Sequence, residues 1–467
     1  MKQENVNTND GAASSSIAID SVDNRPELLA DRSFWGIATT QFLGAFNDNL
    51  FKQLILLLSV PAVVVGIQQA ANANAGDDVQ GYATAIFSLP FVILSGFAGF
   101  LSDRYSKQQV IFISKVAEIA IMFLGMFAFL MYGTFAALGT WSVLFLMATQ
   151  STFFGPGKYG ILPELFRERD LAKANGLILM STFLAIIFGT VVAGFLFDVL
   201  LVVDAAGKPQ AQALWIGSCA CILIAVVGTW TSTWIRRTAI AEPSSTLSLA
   251  DWGLSAPMRG LLGNDRPLLM ALLVSCVFWM VSGIAVPVVN RLGIGQLNVN
   301  KSLTSLLVAA IAIGIMLGSI LAAAVFKKLK PRGQVTVGLW GLVASLLFLG
   351  CWTANGKHMF GYSGCFVLLI VLGVFAAIYA VPLQVFLQSR PPAELKGRMI
   401  GTMNQANFVG ILLSGPLYQG FEKISSSMGW PISSVFWMLA VLVIPLAIFY
   451  RLGSGEREIA RIARPLD

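Results

Sequence analysis

Charge is what this sequence has least of. Lys, Arg, Asp and Glu make up 12% of its 467 residues and hydrophobic residues 56%, with a mean hydropathy of +0.75. A water-soluble domain must clothe its surface in polar groups, so this composition excludes one. The five cysteines (Cys219, Cys221, Cys276, Cys351 and Cys365) lie in or beside apolar stretches with no matching metal-type pairs, so they read as small hydrophobes. No phosphate-cradling Walker loop occurs, which excludes an ATP-driven pump of that type. Residues 1–33 lack the short apolar core of a secretory signal and are expected to form a flexible cytoplasmic tail.

What is present is a series of apolar runs, each near the roughly 20 residues that cross a bilayer. They fall at about 34–60, 82–101, 109–131, 138–161, 171–198 and 213–235, then at 267–290, 302–326, 334–353, 361–388, 397–420 and 431–450. The expected fold is therefore an all-α polytopic membrane protein with twelve spans. Two six-helix bundles, 34–235 and 267–452, would flank a cytoplasmic linker at 236–266, with a short tail at 453–467. Within the linker, "SLADWGLSAPMRGLL" mixes aromatic, apolar and basic residues and suits the membrane surface.

Basic residues mark the orientation. Arg104 and Lys107, Lys158 and Arg167, Arg236 and Arg237, Lys327 and Lys328, Arg390 and Lys396 follow alternate runs. The intervening loops hold only scattered ones, including Arg291 and Lys301. Both termini are thus expected in the cytoplasm, and the net charge of +7 needs no nucleic-acid partner. The halves also echo each other: "GFLSDRYSKQQVIFI" corresponds in position to "AVFKKLKPRGQVTVG". Paired repeats of this kind are the organisation of many transporters, with the substrate site between the halves.

With "GFLSDRYSK" after the second run, the chain resembles the major facilitator superfamily. Three further stretches resemble its bacterial lysophospholipid transporter family: "QFLGAFNDNLF", "GPGKYGILPEL" with "LAKANGL", and "VPLQVFLQ". The resemblance implies a carrier in the bacterial inner membrane that moves lysophospholipids towards the cytoplasmic side, where a separate acyltransferase would restore the missing chain. No cofactor is expected, and a monomer is. Three positions depart from that family's pattern: Asn47 stands where glycine is commoner, "SCVFWMVSGIAVPVV" carries no basic residue, and Ser389 replaces an acidic one.

A charge at the bilayer centre costs roughly 2.5–3.5 kcal/mol on insertion scales and normally faces a cavity or a partner. The first run nevertheless holds Asp48 and Lys52. At about 100° per residue, Gln41, Asp48 and Lys52 share one sector bordered by Asn49, while Asn47 points elsewhere. The spacing of Asp48 and Lys52 permits a helical ion pair that locks the helix against a neighbour. It equally permits a polar stripe lining a cavity, with a lipid phosphate at Lys52 and an ammonium at Asp48. Glu118, three residues after Lys115, is the other deep acid, and reads either as a binding group or as an internal pair. In the second half the polar inventory includes Gln384, Gln388, Asn404, Gln405 and Asn407, amides able to bind glycerol or phosphate oxygens or to bond helix to helix. Asp103, Arg104, Lys107, Lys158, Glu164 and Arg167 gather at the cytoplasmic ends, where breakable ion pairs would act as a gate and where plain topology-setting charge is the alternative.

Two other function classes compete. An enzyme of the acyltransferase type needs an aspartate five positions after a catalytic histidine, but the only histidine is His358 and Ser363 follows it at that spacing. A proton-coupled carrier of another small amphipathic molecule would use Asp48 or Glu118 as its proton site.

Overall fold

In lipid a backbone must satisfy its own hydrogen bonds, so apolar runs of this length become helices. A computed structural model describes residues 26–60, 78–200, 202–203, 209–240, 253–254, 256–324, 330–392 and 395–452. Among them, the first half comprises α1 (Arg32–Leu58), α2 (Gln80–Arg104), α3 (Lys107–Leu130), α4 (Tyr132–Gly160), α5 (Glu168–Leu200) and α6 (Trp215–Ser232). The second comprises α7 (Arg266–Arg291), α8 (Lys301–Ala324), α9 (Pro331–Leu349), α10 (Gly361–Ser389), α11 (Lys396–Ser427) and α12 (Ser434–Phe449). A two-residue antiparallel hairpin, Val202–Val203 with Pro209–Gln210, joins α5 to α6.

Among the described residues, nine helices, α2 to α10, are long and apolar enough to cross a membrane. The polar α1 and α11 and the 16-residue α12 occupy the remaining expected intervals. Within α4 the backbone is non-helical at Ala136 (φ 47°, ψ −139°), so the unbroken helix starts close to the expected 138 after a short helical lead-in from Tyr132. The largest departure from expectation is α11, which runs on to Ser427 rather than stopping near 420. Hydropathy ends a run where the helix merely leaves the hydrocarbon, and Gln419 to Glu422 continue α11 as a polar extension. Both terminal tails beyond the described residues, and the linker stretch 241–252, lie outside this description. The linker's Ala256–Asn264 is helical.

The apolar cores divide as the chain does. One gathers side chains only from Met258 to Leu452. Two others belong to the first half, with Ile294 as the one buried residue from across the boundary. Across the seam between the halves, α2 packs on α11 and α5 on α8. Gly194 of α5 lies against Lys301 and Ser305 of α8, and Gly415 of α11 against Gly81 of α2, so closely that a Cβ would collide at either place.

That close approach is confined to one end. We call it the distal end, opposite the linker that joins α6 to α7. Nearer the linker, a Cβ added at Gly99 of α2 or Gly401 of α11 would meet nothing within 4 Å. The hydrogen bonds between described residues that cross the seam follow the same pattern, all distal except one at mid-helix. Among the described residues the halves are therefore joined at the distal end and at mid-helix, with no hydrogen bond across the seam nearer the linker.

Candidate functional site

α1 is the hub of the first half, and its polar residues point to different neighbours. Asp48 is partly exposed, and its Oδ2 accepts a 2.6 Å hydrogen bond from Ser151 Oγ of α4. Its Oδ1 is buried with no hydrogen-bond partner among the described residues. Lys52 lies one turn on but forms no ion pair with Asp48. Its ammonium instead sits 5.0 Å over the Phe87 ring of α2, a favourable cation–π placement. Phe87 leads to Phe91 at 5.6 Å, and Phe91 stacks on Phe408 of α11 at 3.8 Å. An aromatic ladder thus carries Lys52 to the seam.

The other sequence-selected residues of α1 are tied down locally. Gln41 is buried and donates to Thr182 Oγ1 of α5 at 3.1 Å. Asn49 donates to the Ala45 carbonyl of its own helix at 2.7 Å. Glu118 does not share the Asp48 stripe. Its side chain is 1% exposed and ion-pairs with Lys115, and its Oε1 accepts from Asn47 Nδ2 at 2.7 Å. The residue that the helical wheel set aside, Asn47, is the one that reaches the second deep carboxylate.

The amides of the second half separate as well. Asn407 is buried and accepts from Ser275 Oγ of α7 at 2.8 Å, which bonds helix to helix within the half. Gln405 donates to the Val92 carbonyl of α2 at 3.2 Å and is the mid-helix crossing of the seam. Asn404 and Gln388 are exposed and Gln384 partly so. Asp48, Asn49 and Lys52 are likewise partly exposed as residues.

At the linker end, Lys107 pairs with Glu164 of the short helix Leu162–Leu165, both in the first half. Asp103 and Arg104 are exposed, with the Arg104 guanidinium 5.8 Å over Phe100. Lys158 is buried and Arg167 partly so.

The distal lock is what sequence reasoning missed. Asp78, with a fully buried side chain, accepts from Tyr418 Oη at 2.6 Å and from the Gln80 backbone at 3.1 Å. Arg291 Nη1 lies 3.4 Å from the same carboxylate and its Nη2 3.2 Å from Glu422. Asn290 donates to Gln80 at 2.9 Å and accepts from Gln53 at 2.9 Å. Asp198 of α5 caps the first turn of α8, accepting from the Lys301 and Ser302 amides at 2.9 and 2.7 Å. The available signal was a set of polar residues at the distal side of the bundle, Gln80 at the start of α2 and Gln53 and Asn290 towards the C-terminal ends of α1 and α7.

Comparison with known proteins agrees with this layout. Lysophospholipid transporter LplT of Yersinia pestis is 28% identical over 425 residues, covering 85% of this chain and 89% of that protein. The LplT of Yersinia pseudotuberculosis serotype O:3 matches to the same degree. These relatives are transporters, not enzymes. Among solved structures, a POT family transporter in complex with 5-aminolevulinic acid superposes with a TM-score of 0.68 at 12% identity, covering 92% of this chain and 97% of that one. The transporter FucP in its outward conformation gives 0.60 at 14% identity, covering 89% and 97%. At such identities these structures speak for the fold alone. The family model for the Major Facilitator Superfamily spans residues 34–415, from the start of α1 into α11 and across both cores, and the chain belongs to that superfamily of multi-pass membrane transporters.

Proposed function

We propose that this chain carries lysophospholipids across the bacterial inner membrane by alternating access and releases them on the linker side for reacylation by a separate acyltransferase. On this reading the linker face and both termini are cytoplasmic, the chain works as a monomer, and the distal closure is the inward-open state. The observation that carries the reading is the Asp48 carboxylate. One oxygen is held by Ser151 and the other is buried with no donor among the described residues, an arrangement that costs free energy until a donor arrives. A head-group ammonium supplies that donor, and Lys52 one turn away would take the phosphate. The relatives named as lysophospholipid transporters support the same cargo.

The test is flipping in reconstituted liposomes. Lysophosphatidylethanolamine and lysophosphatidylglycerol should move, and a panel of amphipathic drugs should not. Asp48→Asn should abolish movement of lysophosphatidylethanolamine but not of lysophosphatidylglycerol, which carries no ammonium, while the yield of folded protein stays at wild-type level. Movement of the drugs alone would assign the chain to another cargo, and full flipping of lysophosphatidylethanolamine by the Asp48 variant would remove the head-group role.

A further inference from the structure

A hollow lies away from the seam, at the linker end of the first half. It encloses about 450 Å³ between the segment entering α1 and the segment leaving α6, and Asp31, Arg32, Ser33, Trp234, Ile235 and Arg236 line it. The end of α1 is not what makes it anionophilic. Asp31 already caps that helix, accepting from the Ser33 amide at 2.8 Å through Oδ1. Its Oδ2 accepts from Arg236 Nη2 at 2.6 Å, which also donates to the Leu165 carbonyl at 3.0 Å. The local acid is therefore neutralised inside the wall.

Arg32 is different. It is exposed, its guanidinium lies 5.4 Å over Trp234, and no carboxylate among the described residues lies within ion-pair distance of it. Arg237, the residue after Arg236 of the lining, is exposed. Counting Asp31 and the exposed Glu27 against Arg32, Arg236 and Arg237 leaves one positive charge in excess. Around this hollow the surface is aromatic and exposed: Trp35 is 50% and Trp230 61% accessible, and Trp35 donates to the Leu29 carbonyl at 2.8 Å. Tryptophan and arginine together at the ends of spanning helices mark the depth of lipid head groups. Basic hollows between helices at that depth bind anionic ones.

We propose that this hollow binds the phosphate of an anionic glycerophospholipid from the surrounding leaflet, with Arg32 as the primary cation, Arg236 on the opposite wall and the acyl chains along Trp35 and Trp230. It stands on its own residues, none of which is in the Asp48 site, and is independent of the cargo proposed above.

The full-length protein would be reconstituted in nanodiscs of phosphatidylcholine with and without phosphatidylglycerol. Affinity for a fluorescent phosphatidylglycerol would then be compared with protection by inorganic phosphate. Arg32→Gln breaks no hydrogen bond or ion pair among the described residues, only the contact with the Trp234 ring, and should fold normally. It should weaken phosphatidylglycerol binding about fivefold, the equivalent of one surface charge, and Arg32→Gln with Arg237→Gln should weaken it further. Phosphatidylcholine should compete poorly and inorganic phosphate not at all. Unchanged phosphatidylglycerol affinity in the double variant would overturn the site. Equal protection by inorganic phosphate would overturn its lipid nature.

Discussion

Two buried charge clusters in this molecule use the same chemistry to opposite ends. Lys115, Glu118 and Asn47 lie wholly within the first half, linking α1 to α3, with both charged side chains 1% exposed. Asp78, Arg291, Glu422 and Tyr418 join the first half to the second at the distal end. Rigid-body rocking of the halves, as in the alternating access proposed above, would leave the first cluster intact and would have to take the second apart. A buried ion pair is weak evidence of net stability. What the comparison teaches is that its position relative to the moving seam decides what it does. Inside one half it fixes helices, and across the seam it weights one conformation against another.

The sharpest way to break this comparison is to remove one member of the internal pair. Glu118→Ala would strand the Lys115 ammonium in the core and should cost about 3–5 kcal/mol of stability. Thermal unfolding of the purified protein should drop accordingly. Replacing both residues with apolar ones, Lys115→Met with Glu118→Leu, should recover more than half of that loss, because no uncompensated charge remains. If the single variant unfolds with the wild type, the cluster of Lys115, Glu118 and Asn47 is not holding α1 to α3.

Asp78→Asn probes the other cluster. It keeps the shape of the side chain but removes the charge that Arg291 and Tyr418 meet, a hydrogen-bonded charge worth roughly 1.5–3 kcal/mol. Since the bonds exist only when the distal ends touch, the loss should appear as a shift in population, about ten- to a hundredfold towards the distally open state. Spin-label distances between the distal ends of α2 and α11 would report it, with little change in unfolding temperature. A drop in unfolding temperature with unchanged distances would show that Asp78 belongs to the fold rather than to the gate.

How much of this was legible beforehand follows from what periodicity encodes. The spans could be placed because each run satisfies the bilayer by itself, and the Asp48 stripe could be picked out because an acid in hydrocarbon is costly wherever it points. Partners could not. Spacing along one helix places Asp48 and Lys52 on one face but says nothing of Phe87 or Ser151, which come from α2 and α4 and outcompete the helical ion pair. Asn47 fell outside the stripe and so went unpaired, although α3 brings Glu118 to it. Arg291 read as one of a few scattered loop charges because its partner Asp78 lies in what reads as a polar loop, 213 residues earlier in the chain. The three neighbouring amides of α11 went to three different surroundings, which their closeness in sequence concealed.

A control of smaller size lies outside the membrane-spanning segments and off the seam. His358, 5% exposed, donates from Nε2 to the Leu349 carbonyl at 2.8 Å. That leaves Nδ1 to accept from the Phe360 amide at 3.3 Å and the Cys365 thiol at 3.2 Å. Burial holds its pKa below the ordinary histidine value, so the folded state resists the proton that the unfolded chain takes up near pH 6.5. Stability from this group is complete above that unfolded value and is lost as pH falls through the folded one. A second proton would also take Nδ1 from its two donors, about 1 kcal/mol of neutral hydrogen bonding. Unfolding temperature should therefore fall more steeply between about pH 7.5 and about pH 5.5 in the wild type than in His358→Gln, while the distal spin-label distances stay fixed in both. If those distances move with His358 protonation, the distal loops are coupled to the seam, and the division between clusters that fix the fold and clusters that weight its conformations fails at that end.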